Sequence, residues 1–126
     1  MADKHPNVAL MERLDVRDLA SATDLFAEDV VFHYFNSRLP EAEGDYVGLD
    51  GIRTFFETIG AVSAGTFRIE PVSLTPVGDE LVVTHTRNSL TLEGRQITMD
   101  VVVVWRIVDG RITEVWDIPS VNTPNA

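Results

Sequence analysis

Three side chains capable of acid/base chemistry fall inside otherwise apolar strand-like segments: His33 and Tyr34 in VVFHYF, and Asp117 in ITEVWDI. An acid held where a core should be has its pKa raised by burial, so Asp117 could exchange a proton near neutral pH. Tyr34 could orient a substrate oxygen. A His33–Asp117 pair would be a sharper device, but His33 is in strand phase with outward residues, so the pairing requires a bulge that turns it inward. The blander reading of Asp117 is a buried acid hydrogen-bonded to a helix terminus or to Tyr46. A metal would need three convergent ligands, which only His33, His85 and Asp100 or Asp117 could supply, and no spacing supports that. We therefore expect no metal and no cofactor.

Positioning these groups falls to a chain of helices followed by strands. Val8, Leu10, Met11 and Leu14 have helical spacing, and a second helix is expected over Asp18–Ala27 with Asp18 as its cap. Val30–Phe35 reads as the first strand, residues 36–48 as a polar loop of the kind that often forms a lid, and Asp50–Ile59 as a third helix capped by Asp50. From Thr66 onward the pattern is sheet: Thr66–Leu74, interrupted by Pro71 and so an edge or a bulge, then Glu80–Leu92, Ile97–Val108 and Arg111–Ile118. The tail 119–126, with two prolines and two asparagines, is expected to fray. Helices first and a strand meander after them make an α+β domain, a single one over residues 1–126.

Composition narrows the function classes. No cysteine is present, so neither disulfides nor thiolate ligation is available. Twenty acidic residues against ten Lys plus Arg give a formal charge of -10, which argues against binding to nucleic acid or an anionic membrane. No apolar run is long enough to span a bilayer and the N-terminus lacks a signal-peptide pattern, so a cytoplasmic location is expected.

The segments DLFAEDVVFH (24–33), GDYVGLDGIRTFF (44–56) and VVWRIVDGRITEVWD (103–117) resemble the SnoaL-like branch of the nuclear-transport-factor-like superfamily. The resemblance covers nearly the whole chain. It implies N-terminal helices packed in the concave face of a strongly curved antiparallel sheet, a cone-shaped α+β barrel around a small-molecule pocket. Superfamily members include polyketide cyclases, ketosteroid isomerase, limonene epoxide hydrolase, scytalone dehydratase and many non-enzymes, so fold alone does not name a reaction.

Aligned by motif, Asp117 falls on one catalytic aspartate of limonene epoxide hydrolase, while the other aspartate and its bridging arginine would fall on Asn88 and Thr86. An amide cannot take a proton from water, so that mechanism is broken here. Tyr34 falls on the general base of ketosteroid isomerase and Val103 on an oxyanion donor, so that mechanism also lacks its parts. SnoaL-like cyclases are the better likeness, although many carry their acid a few residues past the Trp, where this chain has Ser120.

Two registers are open to the last hairpin. A two-residue turn at Asp109-Gly110 would put Val103 opposite Trp116 and Asp117 outside. A three-residue loop, Val108 to Gly110, would put Val103 opposite Val115, Val101 opposite Asp117, and the acid inside. The resembled families keep an acid inside at this position, so we expect the second. The expected substrate-binding lining is then Phe32, Tyr46, Phe56, Thr86, Asn88, Val101, Val103 and Val115, around Asp117, Tyr34 and His33 as candidate catalytic groups. Such a site suits cofactor-independent cyclisation, isomerisation or dehydration of a mostly apolar carbonyl or hydroxyl compound. The alternative is a non-catalytic ligand-binding or dimeric interaction module. Val102 and Val104 are apolar on the face opposite the core, which implies a homodimer through the outer sheet face.

Overall fold

The computed structural model describes residues 5–15, 18–37 and 39–120. Helix α1 spans Pro6–Arg13, a 3-10 segment follows at Leu19–Leu25, and α2 spans Gly48–Val62. The six strands are β1 (Phe26–Tyr34), β2 (Gly44–Val47), β3 (Arg68–Val77), β4 (Leu81–Leu92), β5 (Arg95–Val108) and β6 (Arg111–Pro119). They form one sheet in the order β2-β1-β6-β5-β4-β3. Every neighbouring pair is antiparallel except β1 and β6, which run parallel. The architecture is α+β as expected, but the sheet is mixed, and it is curved without closing into a barrel.

Helix α1 lies against β3 and β4, and α2 against β1 and β2, so the two helices cover different ends of one concave face. Pro6 opens α1, where its missing N–H costs nothing, and the His5 ring Nδ1 accepts the Asn7 backbone N–H at 3.1 Å. Asp18 makes no side-chain cap, and the expected second helix is shorter and tighter, ending where Phe26 begins β1. Val47 is the capping residue of α2, and Asp50 sits within the first turn, where its charge favours the helix dipole. Gly51 allows α2 to approach β2 closely: a Cβ there would lie 3.2 Å from the Tyr46 carbonyl carbon.

Strand β2 lies inside the segment expected to be loop. It pairs Tyr46 with Phe32 and Gly44 with Tyr34 at the sheet edge. The opposite edge is β3, and its register shifts between Pro71 and Ser73, as the proline suggested. Pro119 is buried and paired with Val101, and the Ser120 N–H donates to the Asp100 carbonyl at 2.8 Å. The ordered strand therefore runs into the stretch expected to fray, and 121–126 lie outside the described residues.

The last hairpin corrects the expected register. Its turn has two residues, with Val108 opposite Arg111 and left-handed backbone at Asp109 (φ 53°) and Gly110 (φ 78°), the primed geometry that suits strand twist. Ile107 pairs with Ile112 but Arg106 pairs with Glu114, so Thr113 is an extra residue in β6. That bulge, and not a longer loop, reverses the facing of everything after it. Beyond it Trp105 opposes Val115 and Val103 opposes Asp117. Val103, Trp105 and Val115 are all buried, so Asp117 shares the core face.

Candidate functional site

A continuous row crosses four strands on the concave face: Thr84 on β4, Val103 on β5, Asp117 on β6 and Tyr34 on β1. Pairing also aligns Phe32 with Val115, two residues along on the same face. Asp117 is only partly buried, yet it is surrounded by enough protein to push its carboxyl up to about 7. Desolvation is the cause; among the described residues nothing hydrogen-bonds the carboxylate to hold it ionised. The expected alternative, an acid tied to a helix end or to Tyr46, is not formed. Tyr46 donates its hydroxyl to the Ala42 carbonyl at 2.7 Å instead.

Tyr34 is buried beside the acid. Its hydroxyl oxygen accepts the Asn36 side-chain N–H at 2.8 Å. Burial and the neighbouring Asp117 charge push its pKa to about 12, against the Asn36 hydrogen bond that lowers it. Tyr34 is therefore a neutral donor throughout the working range and never a base. Opposite it on β2 stands Gly44, exposed, with nothing within 4 Å of where a Cβ would be.

An aromatic cluster closes over this row. Phe55 of α2 is its centre, with ring centroids 4.7 Å from Phe32, 4.6 Å from Tyr34, 5.4 Å from Tyr46 and 5.0 Å from Phe56. Phe32 and Val115 are fully enclosed, as are Val101 and Val103. Phe56 and Tyr46 are half-buried against the same core. Residues 39–43 fold back over this end, with Leu39 and Ala42 buried and the Glu43 carboxylate accepting the Asn36 backbone N–H at 2.9 Å.

Farther along β4, Thr86 is half-buried opposite Val101, and Asn88 is buried opposite Met99. Among the described residues the buried Asn88 side-chain oxygen has no hydrogen-bond partner. Asn88 stands four residues from Thr84, about 13 Å along the strand at the usual rise, so it and Asp117 occupy different parts of the concave face. Thr84 itself is engaged, accepting the Trp105 indole N–H at 2.9 Å.

His33 does not join the site. It pairs with Trp116 on the outer face and stacks on that ring at 5.7 Å. Its Nδ1 lies 2.6 Å from an Asp45 carboxylate oxygen and its Nε2 lies 2.7 Å from one of Glu114. No bulge turns it inward, so the expected His33–Asp117 pairing is corrected: the two side chains leave the sheet on opposite faces. Desolvation pushes the His33 pKa down, and hydrogen bonds and charge from Asp45 and Glu114 more than offset this and raise it. His85 has a similar outer partner, Asp100 at 2.8 Å, which holds that carboxyl below its ordinary value.

Asn36 was missed from sequence. It sits in a polar stretch with no periodicity, and only its near-complete burial, at 1% exposure, marks it.

A mixed, open sheet with helices across its concave face and an acid at the end of its last strand is a nuclear-transport-factor-like arrangement. The chain belongs to the SnoaL-like domain family, whose model matches residues 8–115. Among solved structures it is similar to a nuclear-transport-factor-2-like protein of unknown function from Burkholderia pseudomallei K96243, at 24% identity and TM-score 0.79 over 94% of this chain and 93% of that one. It is similar to TerC, crystallised with polyporic acid, at 24% identity and TM-score 0.75 over 91% and 92%. It is also similar to IdmH, a suggested polyketide cyclase from Streptomyces antibioticus, at 21% identity and TM-score 0.67 over 91% and 89%. No curated protein sequence matches it. At these identities the likeness establishes the fold. Among the described residues, no helix is long and apolar enough to cross a membrane.

Proposed function

We propose that this protein is a small-molecule enzyme of the cyclase or isomerase type, using Asp117 as a cofactor-independent acid/base. The observation that carries the reading is the state of that carboxyl: partly accessible, without a hydrogen-bond partner among the described residues, and poised at about 7 beside Tyr34, a neutral hydroxyl donor. A general base works best when its pKa lies near the working pH.

In the proposed step, ionised Asp117 takes a proton from a carbon next to a substrate carbonyl. The C–H bond breaks, its electron pair moves onto the carbonyl oxygen, and the resulting enolate is held by the Tyr34 hydroxyl. Protonated Asp117 then returns the proton at another carbon, which isomerises the substrate. Alternatively, the enolate attacks a second carbonyl carbon of the same molecule, and Asp117 protonates the new alkoxide. No electron is gained or lost overall. The half-buried Phe56 and Tyr46 would seat the apolar body of the substrate, backed by the enclosed Phe32 and Phe55. TerC and IdmH, by what they are crystallised with or suggested to do, support a substrate of the polyketide or aromatic kind.

The test is deuterium exchange at the carbon next to the carbonyl of 2-tetralone, followed by NMR in D2O. The wild type should accelerate exchange and Asp117→Asn should not. Equal exchange by both would remove Asp117 from the chemistry.

A second reading, a non-catalytic ligand-binding module, is favoured by one feature. The orphaned Asn88 carbonyl would accept a ligand O–H or N–H without requiring any reaction. That reading needs Asn88, and not Asp117, to control affinity.

The protein is further proposed to be a homodimer through the outer sheet face. Val102 and Ile118 pair there and are exposed at 39% and 46%, with Val104 and Trp116 beside them. An apolar patch of this kind on an otherwise strongly acidic chain is the part of the surface that would gain most from being covered.

A further inference from the structure

Among the described residues, Asn36 is a buried polar side chain bonded to the candidate site for which the proposed chemistry has not accounted. It is 1% exposed, it follows β1 by two residues, and its side-chain nitrogen donates to the Tyr34 hydroxyl oxygen at 2.8 Å. A buried amide in an apolar setting is costly unless bonded. Here the bond is made to the hydroxyl of Tyr34, the residue paired with Asp117 across β1 and β6.

The geometry has a direct consequence for what Tyr34 can do. A phenol oxygen can accept and its hydrogen can donate. The incoming Asn36 N–H occupies the acceptor side. Among the described residues no protein group takes the hydroxyl hydrogen. With the acceptor side filled, the O–H is left free to donate, and the adjacent member of the row is Asp117. A hydrogen bond received by the oxygen also polarises the O–H and strengthens what it donates.

Asn36 is itself held at the backbone. Its N–H donates to the Glu43 carboxylate at 2.9 Å, and its carbonyl accepts the Leu39 N–H at 3.2 Å. The segment that folds back over the aromatic cluster is thus tied to the Tyr34 hydroxyl through one residue.

We propose that Asn36 is a positioning residue that fixes Tyr34 as a one-way donor to a substrate oxyanion, so that the site selects compounds whose carbonyl oxygen develops negative charge beside Asp117. The inference rests on the proposed acid/base reading and specifies its substrate class: enolisable ketones and their stable phenolate mimics, in preference to alcohols or alkenes of the same shape. Asn36 touches no substrate. It acts through Tyr34.

The probe is 2,4-dinitrophenolate, a stable oxyanion that is ionised at about pH 6, where Asp117 is mostly protonated and does not repel it. Affinity is followed by absorbance titration, with neutral 2,4-dinitrotoluene as the control. The wild type should bind the phenolate, and Tyr34→Phe should weaken it about tenfold, the effect of losing a charge-assisted hydrogen bond. Asn36→Leu should cost a comparable factor, leave dinitrotoluene affinity unchanged, and cost nothing further in the Tyr34→Phe background. Asn36→Ser, a smaller change, serves the same cycle if the leucine variant does not fold.

Three results would overturn the proposal. One is no saturable phenolate binding by the wild type. Another is an Asn36 variant that binds phenolate as the wild type does. The third is an Asn36 effect that persists in full without the Tyr34 hydroxyl, which would make the residue merely structural. Failure of the acid/base reading is separate: Asp117→Asn would then leave proton exchange unaltered, whatever the phenolate affinities.

Discussion

Tyr34 and Asp117 stand opposite one another on adjacent parallel strands, and the Phe35 N–H, one residue on, donates to the Asp117 backbone carbonyl at 3.3 Å. The backbone bond locks the relative height of the two side chains. One is a neutral donor and the other a carboxyl poised to exchange a proton, which is a division of labour that two like groups could not provide.

The raised acid makes stability fall with pH. Asp117 has a pKa of about 7 in the fold against an ordinary 3.8, so between those values the native state holds a proton the unfolded chain has released. The Asp117 contribution to stability should be greatest below about pH 4, decline as pH rises, and level off above about pH 7. Asp117→Asn should remove most of this slope. At pH 8 the variant should be more stable than the wild type by about 2 kcal/mol in urea unfolding, about half of the full conversion, because water reaches part of the residue.

His33 should behave in the same direction for a different reason. Its pKa is raised by partners, so its contribution is complete below the ordinary 6.5 and is lost as pH rises through the higher folded value. Neutral imidazole has only one N–H, so one of Asp45 and Glu114 then goes without a donor. His33→Leu should destabilise by about 1 kcal/mol at pH 6 and by less at pH 9. It should leave tetralone exchange unchanged, since the side chain lies across the sheet from Asp117. A variant that lost exchange while remaining folded would return His33 to the chemistry.

The hairpin turn offers a backbone test. Asp109 and Gly110 both have positive φ, so Asp109→Asn should be neutral or slightly stabilising. Gly110→Val should cost about 2 kcal/mol, because a β-branched side chain is excluded from left-handed backbone. Thermal unfolding of the two variants against the wild type reads both.

The outer face should be what holds two copies together. Ile118→Arg introduces a charge at the exposed centre of the Val102, Val104 and Trp116 patch without entering the core. The wild type should sediment as a dimer at micromolar concentration and the variant as a monomer of 14.0 kDa. A monomeric wild type would contradict the assignment.

Much of this arrangement is written locally. The alternation of Val101, Val103, Trp105 and Ile107 reports the core face of β5, and Asp109-Gly110 reports a primed turn. The facing of Asp117 is not local. It depends on one extra residue, Thr113, in a segment whose composition does not distinguish a bulged from a straight strand. Expecting a longer loop therefore placed the acid on the correct face by the wrong route. β2 was hidden because Gly44-Asp45-Tyr46-Val47 is short and half polar, and its order comes from pairing with β1. The β1–β6 parallel pair joins residues some eighty positions apart, which no window along the chain reports. His33 looked like a catalytic partner by residue type alone; its partners, Asp45 and Glu114, appear only once three strands are side by side.

The central claim is that Asp117 is a desolvated acid poised for proton transfer, and its titration in the folded protein tests this most directly. Carbon-detected NMR of the labelled side-chain carboxyl, across about pH 3 to 9, should give a midpoint near 7. A midpoint near 3.8, the ordinary aspartate value, would contradict the account.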